Sequence, residues 1–288
     1  MGVRRAVEIA RQAAGTYQNG SGESQIYTLG PLIHNPAVLD ELKERGVLCL
    51  SEEKIHDIPK NSMVIIRAHG ISPKLERALT QHGVNVLDAT CPHVKKNQEA
   101  ARSFAERGYK VFLGGDKDHG EIAGIRSYVE EAVSSPAGVP SCFVVANPAE
   151  AEAAARELFR LDPAAKTVLL GQTTIISEEF QAIGLEIKKF FPNLEVLDTI
   201  CGATEKRQKA LRELCTKVQA LIIAGGRSSA NTRHLLAISQ SSGKPAWLVE
   251  SAADLPPEIK AYQTVGISAG ASTPESLIDE IEEKLKSL

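Results

Sequence analysis

The chain has 288 residues, 43% of them hydrophobic and 24% charged, and a formal net charge of −3. That is the balance of an ordinary globular protein; it leaves no basic footprint for nucleic acid, and no segment approaches the roughly 20 apolar residues of a membrane span. Five cysteines at irregular spacing, with no secretory h-region, fit free thiols in a reducing cytoplasm rather than disulfides.

In chain order, a helical segment GVRRAVEIARQA is followed by an apolar strand with a polar loop, QIYTLGPLIHN (25–35). A second strand with a small or polar tip, MVIIRAHGIS (63–72), leads through a helix to VLDATC (86–91). Behind Cys91 the helical stretch KKNQEAARSFAERG (95–108) opens the same cycle again. It runs through KVFLGGDKDHG (110–120) and TVLLGQTTII (167–176) to VLDTIC (196–201). Lys96, Gln98 and Ala100 behind Cys91 match Lys206, Gln208 and Ala210 behind Cys201. A third passage brings ALIIAGGRSSAN (220–231), TVGISAGAST (264–273) and the terminal helix PESLIDEIEEKLKSL (274–288).

Repetition of this kind sets the reading of the whole chain. Apolar strands alternating with amphipathic helices predict right-handed βαβ crossovers and parallel sheets covered by helices. The expected fold is α/β, with three similar parallel-sheet units in a pseudo-threefold trefoil around a central pocket. The units are expected at 1–91, 92–200 and 201–288. By the same phasing the first unit would also open with a cysteine, at the place where Met1 stands. The chain therefore reads as shortened at its N-terminus.

The unusual polar residues fall at strand carboxyl ends, the edge where open α/β sheets bind ligands. Cys91 and Cys201 each end a strand and open a helix, where the dipole favours a metal-binding thiolate. A free cysteine is most often a small buried hydrophobe, and Cys49, Cys142 and Cys215, outside the repeat, are read so. The duplicated context argues otherwise for Cys91 and Cys201. Without a CxxC pair a zinc site is disfavoured; one thiolate per repeat suits an iron–sulfur cluster.

His34, His69 and His119 all follow apolar strands and sit in tight loops beside Gly or Asn. As imidazolium groups they suit an anion such as a diphosphate. His82 and His234 fall on helical surfaces and His56 and His93 lie off the pattern; all four are read as solvated side chains. Thr173, Thr174, Ser228, Ser229, Asn231 and Ser272 place neutral donors in the corresponding loops; singly, such residues are turn formers and caps. No Walker or GxGxxG loop is present. Glu121, two residues after His119, would be pushed toward the protonated form by desolvation and could act as a general acid.

The series LIHNPAV, AHGIS, DATCPHVKK, HGEIAG, GQTT, the Cys201 helix, SSAN and AGAS, in that order from residue 2 to the C-terminus, resembles the 4-hydroxy-3-methylbut-2-enyl diphosphate reductase family. The resemblance implies a [4Fe–4S] cluster ligated by Cys91 and Cys201. It implies a two-electron reduction that removes an allylic hydroxyl as water and gives isopentenyl and dimethylallyl diphosphate. It also implies substrate contacts from His34, His69, His119, Thr173, Ser229, Asn231 and Ser272, with Glu121 as proton donor. A small ferredoxin or flavodoxin is the implied electron donor. The family pattern begins with a strand and GFC-x-GV, and this sequence begins at the x. Ala230 stands where the family often has a second serine. Two other readings of the residues are a non-catalytic protein binding a phosphorylated metabolite, its cluster lost, and a metal-independent hydratase or lyase using His119 and Glu121.

Overall fold

The structure, a computed structural model, describes residues 2–17, 25–133 and 139–288. Its strands form three sheets, parallel throughout. The first contains β1 (Ile26–Leu29), β2 (Val47–Leu50), β3 (Met63–Ile66) and β4 (Asn85–Asp88), in the order β2-β1-β3-β4. The second repeats that order with β5 (Lys110–Gly114), β6 (Cys142–Val145), β7 (Thr167–Gly171) and β8 (Glu195–Val196), as β6-β5-β7-β8. The third has β9 (Ala220–Ala224), β10 (Ala246–Val249) and β11 (Val265–Ala269), ordered β10-β9-β11.

The predicted α/β class with three parallel-sheet units is what the structure has. One element per unit was not legible: the expected cycle omits the flanking strands β2, β6 and β10. Each is only four residues long, and β2 and β10 are largely unburied. The expectation that strands are buried on both faces holds for β1, β7 and β9, buried at every position. It fails for β4 and β8, which lie at sheet margins and are largely exposed.

The α-helices among the described residues are α1 (Gly2–Tyr17), α2 (Pro36–Glu44), α3 (Pro73–His82), α4 (Pro92–Glu106), α5 (Gly120–Ala132), α6 (Pro148–Leu161), α7 (Ser177–Lys188), α8 (Gly202–Cys215), α9 (Ala230–Ser241) and α10 (Glu275–Lys286). Their starts are encoded locally. Ser72 accepts from the Leu75 N–H and Asn147 from the Glu150 N–H, each with proline at the first helical position. Those side chains satisfy amides that the helix cannot pair itself, and proline brings φ already set.

The chain divides into two compact units. The first, Met1–Leu32 with Leu42–Cys201, holds the first two sheets; the second joins Ile33–Glu41 to Gly202–Leu288 and holds the third. In the first unit Phe112 is wholly buried and stacks on Phe143 with ring centroids 5.0 Å apart. Truncating a ring so enclosed typically costs about 3–5 kcal/mol. The second unit is cored by Ile222, Val249, Ile259 and Ile281.

A shared backbone device shapes the strand tips. The N–H of Gly30, Gly115 and Gly225, each just past its sheet's central strand, donates to the last residue of the flanking strand: Leu50 (2.6 Å), Val145 (3.0 Å) and Val249 (2.9 Å). That bond ends each ladder at the same point and releases the following loop at the sheet's carboxyl edge.

Candidate active site

In the first unit the residues singled out by sequence form one connected arc. Glu121 lies in the first turn of α5 and is 1% exposed. Both carboxylate oxygens are taken by one residue: the Thr173 N–H donates to Oε1 at 2.7 Å and its hydroxyl to Oε2 at 2.8 Å. Burial pushes the Glu121 carboxyl up from its usual 4.5 to about 7, although both Thr173 bonds pull the other way. A carboxyl so placed exchanges protons near neutrality, the range in which acid catalysis is most effective.

His119 caps the same helix. Its Nδ1 accepts from the Glu121 N–H at 3.2 Å. That bond uses Nδ1 as an acceptor, which in a neutral ring leaves the proton on Nε2. His69 meets it edge to face, with ring centroids 4.8 Å apart.

The two cysteine turns are built alike around this pair. The Cys91 N–H donates to the Ala68 carbonyl and the Cys201 N–H to the Thr173 carbonyl, both at 3.0 Å. Cys91 is thus fastened to the residue before His69, and Cys201 to the residue that grips Glu121. Both thiols are partly exposed. Gly2 at the start of α1 packs so closely on Cys91 that a Cβ there would lie 2.2 Å from its Sγ.

The other cysteines behave differently from one another. Cys215 is buried, and burial pushes the Cys142 thiol up to about 12. Cys49 is exposed on β2 rather than packed in a core. His82, read as a surface side chain, is half-buried, and its Nε2 lies 2.7 Å from the Ile58 carbonyl.

Two buried amides in this unit were not picked out as functional from sequence. Gln172 is wholly buried; its Oε1 accepts from the Asp116 N–H (3.0 Å) and its Nε2 donates to Thr174 Oγ1 (3.0 Å). It joins the loop before His119 to the loop that carries Thr173. A Cβ on Gly115 would sit 2.8 Å from the Gln172 side chain, so only glycine admits this contact. Gln98, in α4, is 2% exposed and its Nε2 has no hydrogen-bond partner among the described residues. A Cβ on Gly70 would lie 2.5 Å from that nitrogen, and Gly70, at φ +75°, lies in the left-handed region. Gln98 thereby packs on the loop of His69. Its only trace in sequence was the match with Gln208.

The second unit brings its own candidates together. The backbone of Gly226 passes so near the His34 carbonyl that a Cβ would lie 2.5 Å from the oxygen. Asn35 Nδ2 donates to the Ser272 carbonyl at 3.2 Å. Ser229 caps α9, accepting from the Thr232 N–H. Asn231 is 5% exposed, and its Nδ2 has no hydrogen-bond partner among the described residues. A buried amide N–H₂ left open is costly unless something polar meets it.

Comparison with known proteins identifies the group. The chain matches the family described as LytB protein over residues 1–286. It belongs to the LytB family of 4-hydroxy-3-methylbut-2-enyl diphosphate reductases. The reductase of that name from Treponema denticola is 42% identical over 287 residues, covering 99% of this chain and 94% of the relative. That of Caldanaerobacter subterraneus is 37% identical, covering 100% and 93%. Among solved structures, the E-1-hydroxy-2-methyl-but-2-enyl-4-diphosphate reductase of Plasmodium falciparum matches with a TM-score of 0.86 at 28% identity, over 100% of this chain and 84% of that one. A second LytB-like structure, titled as the terminal enzyme of the non-mevalonate pathway, matches with a TM-score of 0.67 at 34% identity, over 100% and 95%. As a LytB-family member the chain is an oxidoreductase. No described helix is long and apolar enough to cross a membrane.

Proposed function

We propose that this protein reduces 4-hydroxy-3-methylbut-2-enyl diphosphate to isopentenyl and dimethylallyl diphosphate. The balanced change takes up two electrons and two protons. The allylic C–O bond breaks, one C–H bond forms, and the hydroxyl leaves as water. The observation that carries this reading is Glu121: buried, poised near neutral pH, and joined through Thr173 to the Cys201 turn.

The donor set fits an iron–sulfur cluster. Cys91 and Cys201 offer soft, partly exposed thiols, the ligand type that iron–sulfur clusters take. These two residues would hold a [4Fe–4S] cluster, which when bound supplies the electrons one at a time. A small ferredoxin or flavodoxin is the proposed source of those electrons, and the cytoplasm the proposed setting.

The remaining work falls to the chain's own groups. Glu121 holds a proton until it passes to the departing hydroxyl, and Thr173 sets the carboxyl's direction with two bonds. His69 and His119, the latter through Nε2–H, are proposed to contact the diphosphate, as are His34, Ser229, Asn231 and Ser272. The open Nδ2 of Asn231 suits an anionic oxygen. We also propose the functional division into 1–91, 92–200 and 201–288.

Protein purified under strict anaerobiosis provides the test. The expected result is bound iron and sulfide, visible charge-transfer absorption, and conversion of the allylic diphosphate to both products with a reduced donor. Full turnover by iron-free protein, or none by protein with its cluster intact, would overturn the reading.

A further inference from the structure

We propose that Thr199 is a positioning residue that holds the Cys201 thiol and the Glu121 carboxylate in one fixed relation; this rests on the functional reading above. Thr199 is buried, and its hydroxyl makes two hydrogen bonds to a single residue. It donates to the Gly171 carbonyl at 2.9 Å and accepts from the Gly171 N–H at 2.7 Å.

The need for those bonds follows from the strands. β8 is two residues long and pairs with Val168 and Leu169 of β7. The Leu197 N–H adds one more bond, to the Leu169 carbonyl. Gly171, at the end of β7, then has no main-chain hydrogen-bond partner on that side among the described residues. The Thr199 side chain replaces the missing ladder pair, satisfying both backbone groups of a buried residue. Two residues on, the Cys201 N–H returns to the Thr173 carbonyl at 3.0 Å. The segments 171–173 and 199–201 are therefore closed into a ring at both ends, and Thr173 in that ring grips Glu121. Asn97 Nδ2, one turn or so into the helix behind Cys91, donates to the Thr199 carbonyl at 3.4 Å and ties the ring to that helix.

The repeat itself shows that the hydroxyl is not demanded by the fold. The residue aligned with Thr199 in the first copy is Ala89, which has no side-chain hydroxyl; its backbone N–H donates to the Ile66 carbonyl. The hydroxyl occurs in the copy whose neighbouring loop carries Thr173.

Thr199→Val keeps the shape and removes both bonds, Thr199→Ser keeps the hydroxyl, and Val168→Ala serves as a core variant of comparable thermal loss in the same unit. In cluster-free protein, amide exchange over 171–173 and 199–201 is expected to rise about tenfold in Thr199→Val, the size of one lost net hydrogen bond, and to return in Thr199→Ser. In cluster-loaded protein kcat is expected to fall about tenfold with KM within about twofold, since orientation rather than binding is lost. Asn97→Leu should move the same readouts by a smaller factor, and it decides the matter if Thr199→Val does not fold. Exchange and kcat in Thr199→Val no worse than in Val168→Ala would overturn the proposal. Wild-type protein without iron or turnover would instead overturn the functional reading, leaving the exchange measurements to judge Thr199.

Discussion

Cys91 and Cys201 both close the sequence VLD-x-x-C, and both donate their N–H to the loop that follows the neighbouring strand. Yet the two turns are fastened by opposite means. Around Cys91 the fastening is charged and part-exposed. Asp88 accepts from the Thr90 N–H at 2.9 Å and pairs with Lys95 at 2.7 Å, while the Arg5 guanidinium donates to the Thr90 carbonyl at 3.1 Å. Burial alone would push the Asp88 carboxyl up, but Lys95 and Thr90 together hold it below the usual range. Around Cys201 the fastening is neutral and buried, through Thr199 and Asn97. Duplication fixed the backbone path; the side chains that secure it diverged with surroundings. Exposed charges hold weakly and feel salt, whereas breaking a buried bond strands a polar group without water.

The largest expected effect ignores that difference. Cys91→Ser and Cys201→Ser should each abolish cluster binding and reductase turnover, because a hard hydroxyl replaces a soft ligand. Cys49→Ser, Cys142→Ser and Cys215→Ser should retain iron. If one turn tolerated serine, measured by iron content and visible absorption, the two sites would not be equivalent after all.

Next in size, Glu121→Gln should lower kcat by about 10²–10⁴-fold while leaving KM near wild type, as the amide keeps the shape but not the proton. An unchanged maximal rate would remove Glu121 from the chemistry and with it the reason for a tightly fastened Cys201 turn.

The same residue predicts a pH effect on stability. Below about pH 4.5 Glu121 is protonated whether the chain is folded or not. Between there and about pH 7 the folded chain keeps a proton that the unfolded chain releases, so stability falls as pH rises. The span corresponds to about 3 kcal/mol. Urea unfolding at pH 5 and pH 8 should show this slope in wild type and its loss in Glu121→Gln; equal slopes would mean that the carboxyl is not buried as described.

Smallest is the contrast in fastening itself. Asp88→Asn should cost about 1 kcal/mol or less, with the loss shrinking at high salt. Thr199→Val should cost more, with no salt dependence. Unfolding midpoints in low and high salt would separate the two, and matching salt responses would erase the distinction.

What was legible in the sequence was the repeat and its period. Buried apolar strands that end in glycine, as at Gly30, Gly115 and Gly225, announce themselves by composition, and the duplicated cysteine context singled out two of five thiols. The edge strands escaped because four residues with mixed burial carry no periodicity to detect. The capping bond from the Glu121 N–H to His119 escaped because it depends on a helix start that composition does not specify. Thr199 and Asn97 escaped for a related reason: their partners are backbone groups 28 and 102 residues away, and a main-chain carbonyl leaves no letter in the sequence.

The strand order has a consequence for how the molecule comes into being. In each sheet the earliest-made strand, β1, β5 or β9, ends in the interior, and later strands add on both sides of it. A nascent chain leaving the ribosome therefore exposes an interior strand of each repeat first and covers it only as the flanks arrive. Slowing translation just after residues 29, 114 or 224 should thus invite aggregation, whereas a pause after residues 88 or 196 leaves a four-stranded sheet already closed over its centre.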